Sequence, residues 1–172
     1  MKTDIRNHGS GNAGTTNALR VFGKKIGAMT FILDILKGVL VVYIGGTIMG
    51  YNGKLIAGIF AVVGHNWPIF FKFKGGRGIA TSFGVLLSLY WPVPVLTLIV
   101  FLFVVIVTRY VSLGSIISAI LVPVLGILLN KPFNTNYFIT TIILAIMAIF
   151  RHRDNINRLI SGREHKIGER VE

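Results

Sequence analysis

The chain has 172 residues, of which 53% are hydrophobic and only 14% charged, and its mean hydropathy of +0.72 takes it out of the class of water-soluble domains. Its formal net charge of +12 would suit nucleic acid in a soluble protein, but the basic residues here flank apolar runs, where Lys and Arg mark the cytoplasmic side of a membrane, so no nucleic-acid partner is expected. The absence of cysteine excludes disulfides, thiolate nucleophiles and cysteine metal sites.

Residues 1–25 are polar and basic without an apolar core, and are not expected to act as a cleavable signal peptide. Within them lies Gly9-Ser10-Gly11-Asn12-Ala13-Gly14-Thr15-Thr16-Asn17, followed by Arg20 and the start of a helix. Backbone N–H groups freed by glycine, a positive helix N-terminus and an arginine fork together form a cradle for an anion. A flexible polar tail has similar composition.

Apolar spans are predicted at about 26–49 and 55–71. Asp34 and Lys37 fall on one face of the first, close enough to pair, either as an internal structural pair or as part of a polar site. His65, near Pro68 late in the second, reads as a hydrogen-bonded packing residue where proline bends the helix. Gly38, Gly45, Gly46, Gly50, Gly58, Gly114, Ser115, Ser118 and Gly126 are small residues that let helices approach closely.

Phe73-Lys74-Gly75-Gly76-Arg77-Gly78 leads into a helix holding Ala80 and Thr81, a second anion-suited helix N-terminus or a short basic loop. It has neither the spacing nor the preceding strand of a nucleotide P-loop. Residues 79–108 hold two spans, a short one and a longer one, separated by a tight hairpin at Trp91-Pro92-Val93-Pro94. Spans at 110–129 and 136–150 complete six.

An even number of spans puts both termini on one side. That side collects fifteen basic residues, including Lys2 and Arg170, against Lys54 and Lys131 on the other. All three polar runs therefore face the cytoplasm. The third is Arg151-His152-Arg153-Asp154-Asn155, in which His152 and Asn155 are i, i+3 on a helix leaving the membrane, with Ser112 placed to face the same pocket. The four histidines show no metal-ligand spacing, and no metal is expected.

Taken together, these runs resemble one family, the bacterial acyl-phosphate:glycerol-3-phosphate acyltransferases (PlsY). The resemblance rests on Gly9 to Arg20, Asp34-x-x-Lys37-Gly38, Gly64-His65-x-x-Pro68, Phe73 to Thr81, Arg109-Tyr110-Val111-Ser112 and Arg151 to Ile156, in the family's order over nearly the whole chain. It implies an all-α polytopic membrane bundle with half-length helices and cytoplasmic glycine-rich loops, forming one domain over residues 1–172 in the bacterial cytoplasmic membrane.

The reaction it implies is transfer of a fatty acyl group from acyl phosphate to the 1-hydroxyl of sn-glycerol 3-phosphate, giving lysophosphatidic acid and phosphate, the first step of phospholipid synthesis. No cofactor, acyl-CoA or carrier protein is expected, and the chain is expected to be a monomer. Catalytic positions carry over onto Ser10, Arg20, Arg77, His152 and Asn155. Substrate contacts carry over onto Gly9, Gly11, Asn12, Gly14, Thr16, Asn17, Lys74, Gly75, Gly76, Gly78 and Ser112. A phosphate oxygen of the donor is expected to take the hydroxyl proton, with His152 as the rival base.

Family members begin with a further apolar span, making seven, ahead of the pattern at Gly9; Arg77 stands where they commonly carry lysine, and Asp154 where they carry glutamate. An acyl-CoA-dependent acyltransferase would show His followed five positions later by Asp, which no histidine here does. An anion transporter would place its site near the bilayer midplane between internal repeats, and none is visible.

Overall fold

The computed structural model describes residues 4–169, so Lys2 and Arg170 of the charge count lie outside the described residues. All regular structure among the described residues is helical: α1 (Thr15–Phe22), α2 (Lys24–Asn66), α3 (Ile79–Tyr90), α4 (Pro92–Thr108), α5 (Val111–Leu129), α6 (Thr135–Arg151) and α7 (Arg153–Ile160), with short 3₁₀ turns at Ile5–Asn7 and Ile69–Phe71.

The 43 residues of α2 do not run straight. At Met49 (φ −133°, ψ 23°) and Gly50 (φ +58°, ψ −141°) the backbone leaves helical geometry. A side chain at Gly50 would make that left-handed conformation costly. The second arm therefore returns along the first, which places Asp34 beside His65. Where the arms cross, a Cβ on Gly53 would collide with the carbonyl oxygen of Gly45, and one on Gly45 with the carbonyl of Gly53. Backbones this close are the contact that small residues permit in lipid. Gly53→Ala is expected to wedge the arms apart and cost about 1–3 kcal/mol, an overpacking penalty. Thermal unfolding in detergent measures it, and an unshifted midpoint would show that the crossing has slack.

The two predicted spans thus appear as the arms of α2. One boundary differs: the second arm stops at Asn66, capped by Trp67, and residues 67–71 leave it. Pro68 ends the helix rather than bending it, because proline disfavours helical backbone in the residue before it. The predicted hairpin sits where expected, with Trp91 as the single residue between a 12-residue α3 and a 17-residue α4 that has Pro92 in its first turn. Proline tolerates that position because its missing N–H would have no partner there.

Interhelix contacts give the chain direction. Ser118 Oγ donates to Thr97 O at 3.2 Å, so α4 and α5 are antiparallel. Tyr90 Oη donates to Leu129 O at 2.8 Å, joining the end of α3 to the end of α5. By length and composition alone, Lys24–Phe71 and Val111–Leu129 can cross a membrane, and α6 with α7 forms a bent third candidate. Counted by direction, with the arms of α2 separate, the chain traverses the bundle six times. The core of Val42, Leu55, Val62, Val85, Leu86, Val93, Val122, Tyr137 and Leu144 joins α2 to α6. Many large apolar side chains on α2 and α4 face outward, among them Ile48, Phe60, Phe103 and Ile106, as lipid requires.

Candidate active site

The three polar runs meet at one end of the bundle around a cavity of about 330 Å³. The N-terminal run forms one wall. Asn17 is buried and organises it: Oδ1 accepts from Ser10 N–H at 2.9 Å, and Nδ2 donates to His8 O at 3.0 Å and Ile5 O at 3.2 Å. Asn12 Oδ1 accepts from Gly14 N–H at 2.8 Å, just before the first turn of α1. The amides of Asn12 and Asn17 thus shape the loop, and Ser10, Thr16 and Arg20 are the groups it offers to the cavity. Arg20 donates to His165 O at 3.3 Å. Burial depresses its basicity, with Arg158 acting the same way and Glu164 opposing.

The second wall is the loop before α3. Arg151 crosses to it, donating from Nε to Gly76 O and from Nη2 to Gly75 O, both at 3.0 Å. Gly76 N–H donates to His65 O at 3.1 Å. A Cβ on Gly75 would strike the His65 carbonyl, and one on Gly76 the His65 ring. These glycines serve a close approach to His65, and their carbonyls and the Gly76 N–H are engaged by protein groups. Gly78, in left-handed backbone (φ +78°), then starts α3 and turns the Arg77 side chain's neighbourhood into the cavity wall.

No protein acceptor meets the Arg77 guanidinium among the described residues. Burial pushes it down to about 10, reinforced by Arg158, Arg20 and Arg151 and opposed by Glu164. A cation so placed calls for an anion from outside.

The third wall is the junction of α6 and α7, which meet at 57°. Sequence reading placed His152 and Asn155 on one continuous helix; instead His152 is the break, closing α6 and preceding α7. Its Nδ1 donates to Ala148 O at 2.7 Å, which leaves Nε2 as an acceptor. Burial, then the Arg77 charge, push His152 down to about 4, against the pull of the Ala148 carbonyl, so it is neutral at physiological pH.

Asn155 is buried behind this wall and donates to Glu164 Oε1 at 2.6 Å. Ser112 Oγ donates to the same oxygen at 2.8 Å, and Arg158 Nε to Oε2 at 2.8 Å. Burial would raise Glu164, but these three donors outweigh it and hold the carboxyl below its ordinary value.

Of the residues singled out in the sequence, Ser10, Asn12, Gly14, Thr16, Asn17, Arg20, Arg77, Gly78, Ser112 and His152 line this one cavity. Gly9, Gly11, Gly75, Gly76 and Asn155 stand outside its lining, and Lys74 is exposed. Glu164 was missed. Its signal was a carboxylate flanked by Arg163 and by His165 and Lys166 in a mainly basic tail. His65, read as a packing residue, lines the cavity with Asp34.

A second cavity, of about 120 Å³, lies among α3, α4, α5 and α6 and is lined almost wholly by apolar groups such as Phe83, Leu86, Leu98, Val122 and Leu144. The two share Phe31, Ile79, Ala80, Phe101 and Ser115. An arginine-bearing chamber thus opens onto a slot fit for hydrocarbon.

Comparison with known proteins gives the same picture. The model of the glycerol-3-phosphate acyltransferase family matches residues 1–162. A glycerol-3-phosphate acyltransferase of Thermoanaerobacter pseudethanolicus is 51% identical, over 99% of this chain and 85% of its own. One from Finegoldia magna is 48% identical, over 98% and 84%. Among solved structures, PlsY, an integral membrane glycerol 3-phosphate acyltransferase, superposes in its glycerol 3-phosphate form with a TM-score of 0.91 at 39% identity, covering 97% of this chain and 84% of that one. Its lysophosphatidic acid form gives 0.86 at 38%, covering 92% and 81%.

Proposed function

The chain belongs to the glycerol-3-phosphate acyltransferase family, integral membrane enzymes of glycerolipid synthesis, and we propose that its acyl donor is an acyl phosphate and its acceptor position the 1-hydroxyl of sn-glycerol 3-phosphate. It works as a single-domain monomer in the bacterial cytoplasmic membrane, with the polar cavity on the cytoplasmic side. The observation that carries this reading is the junction at Ile79, Ala80, Phe101 and Ser115, where the arginine-bearing cavity meets the apolar one. An acyl phosphate has that shape, a phosphate and a fatty chain on either side of the reacting carbonyl.

The chemistry asks little of the protein beyond placement. The mixed anhydride is already activated, so the 1-hydroxyl oxygen attacks the carbonyl carbon and the carbon–oxygen bond to phosphate breaks. Arg20 and Arg77 hold phosphate oxygens with guanidinium forks, stabilising charge in the transition state. Ser10 and Thr16 add hydroxyl donors from the first wall, and Ser112 adds one when it exchanges Glu164 for substrate. Asn155 acts through Glu164 as a positioning residue.

The hydroxyl proton goes to a phosphate oxygen of the donor. His152, pushed down to about 4, offers little driving force as a base, and its Nε2 is suited instead to accepting a hydrogen bond from the incoming alcohol.

The test supplies membranes containing the chain with labelled glycerol 3-phosphate and either palmitoyl phosphate or palmitoyl-CoA. Labelled lysophosphatidic acid with palmitoyl phosphate alone is expected. Product with palmitoyl-CoA alone would overturn the donor, and no product with either would overturn the activity.

A further inference from the structure

Nearly every group that the polar cavity presents to a ligand is a cation or a neutral donor, as phosphate requires. One is neither. Asp34, on the first arm of α2, lines the cavity with its side chain 13% exposed. Its Oδ1 is engaged: Lys37 Nζ lies 2.8 Å away and His65 Nδ1 3.2 Å. Lys37 Nζ is also 2.9 Å from His65 Nδ1. Asp34 Oδ1, Lys37 Nζ and His65 Nδ1 thus meet within 3.2 Å of one another.

The other carboxylate oxygen, Oδ2, meets no protein donor among the described residues, and it is not among the fully enclosed unpartnered atoms either. The other carboxylate of the cavity, Glu164, has both oxygens occupied by Ser112, Asn155 and Arg158. Asp34 Oδ2 is therefore the carboxylate oxygen left open to a ligand.

Its ammonium partner matters to what that ligand is. Asp34 and Lys37 together carry no net charge, so the pair does not cancel the attraction of Arg20 and Arg77 for phosphate. A carboxylate oxygen beside a phosphate site selects a hydroxyl, which can donate to it, over a second anion. The acceptor substrate proposed above has two hydroxyls. One gives up its proton as it is acylated; the other keeps its proton throughout and needs a lasting acceptor.

Resting on that reading of the function, we propose that Asp34 Oδ2 accepts a hydrogen bond from the 2-hydroxyl of glycerol 3-phosphate. Lys37 and His65 hold the carboxylate in place, so that the 1-hydroxyl alone is presented to the acyl carbonyl. Asp34 is then a specificity-determining residue on the acceptor side, and Lys37 and His65 are positioning residues. Because the same His65 ring rests against Gly76, the acceptor seat and the loop carrying Arg77 are set by one side chain.

The test compares two acceptors, glycerol 3-phosphate and 3-hydroxypropyl phosphate, which keeps the phosphate and the terminal hydroxyl but lacks the 2-hydroxyl. The wild-type chain is expected to favour glycerol 3-phosphate in kcat/KM by about tenfold to a hundredfold, the worth of a hydrogen bond to a charged group. Asp34→Asn is expected to narrow that ratio toward one, chiefly by losing rate with glycerol 3-phosphate. Asp34→Glu, which keeps the charge and moves the oxygen, is expected to narrow it as well and serves if the amide variant does not fold.

Equal loss with both acceptors, leaving the ratio unchanged, would assign Asp34 a purely structural role and overturn the proposal. So would a wild-type chain indifferent to the 2-hydroxyl, or abolition of both rates by the amide, which would make Asp34 a proton acceptor. A wild-type chain inert toward both acceptors would instead overturn the function reading, and this inference with it.

Discussion

Arg77→Ala is expected to lower kcat/KM for glycerol 3-phosphate on the order of 10³-fold while leaving the ligand-free protein no less stable. The kinetic loss follows from removing a guanidinium that meets charge developing on the leaving phosphate, inside a cavity where water screens it weakly. The stability result follows from the other side of the same geometry. Without substrate the cation lies partly buried among Arg20, Arg151 and Arg158, with no protein acceptor among the described residues and burial holding it down to about 10. Removing an uncompensated cation relieves repulsion.

Inorganic phosphate, which fills the gap, is expected to raise the melting temperature of the wild type and to have little effect on Arg77→Ala. Arg77→Lys keeps a charge but not the fork, and is expected to fall between the two. A rate within threefold of wild type for Arg77→Ala would remove Arg77 from the phosphate clamp.

Glu164→Ala is expected to cost about 3 kcal/mol or more of stability and most of the activity. The side chain is 6% exposed, and its loss strands three donors at once: Ser112 Oγ, Asn155 Nδ2 and the Arg158 guanidinium. The carboxyl sits below its ordinary value of 4.5 in the folded protein. Its contribution is therefore complete above that value and is lost as the pH falls through the lower folded value.

Acid melting curves should show this loss in the wild type. In Glu164→Gln, which keeps the shape but cannot titrate, the same step should be absent. A Glu164→Ala variant melting within a degree of wild type would show that the segment after α7 is not docked by this contact.

The sequence exposed features that depend on neighbours close along the chain. Apolar runs located the arms of α2, α5 and α6, the gap between the first two runs marked where the chain turns back, and Trp91-Pro92 marked the break between α3 and α4; Gly50, read as a helix-contact residue, instead makes that turn and has open space around it. Asp34 and Lys37 could be paired because they are three apart. The partners that were hidden are distant. Glu164 meets Ser112 across 52 residues, and His65 joins Lys37 across 28. No periodicity or spacing rule reaches that far.

The glycine loops show a subtler gap. Composition suggested free N–H groups for an anion at Gly75 and Gly76, but the fold uses these glycines to bring the backbone against His65 and Arg151. Glycine content signals a need for closeness without saying whether the neighbour is a ligand or the protein itself.

The shortness of α3 has one more implication. Twelve residues at about 1.5 Å each span roughly 18 Å, against about 30 Å of hydrocarbon. With its far end fixed beside Leu129 at the end of α5, the near end carrying Gly78 and Arg77 stops short of the reach of the 19-residue α5. For the acyl-phosphate donor proposed above, such a recess would let the reacting carbonyl meet Arg77 without the fatty chain leaving the lipid. Matching of that depth to bilayer thickness then becomes a determinant of turnover, so the same chain should run at different speeds in short-tailed and long-tailed lipid.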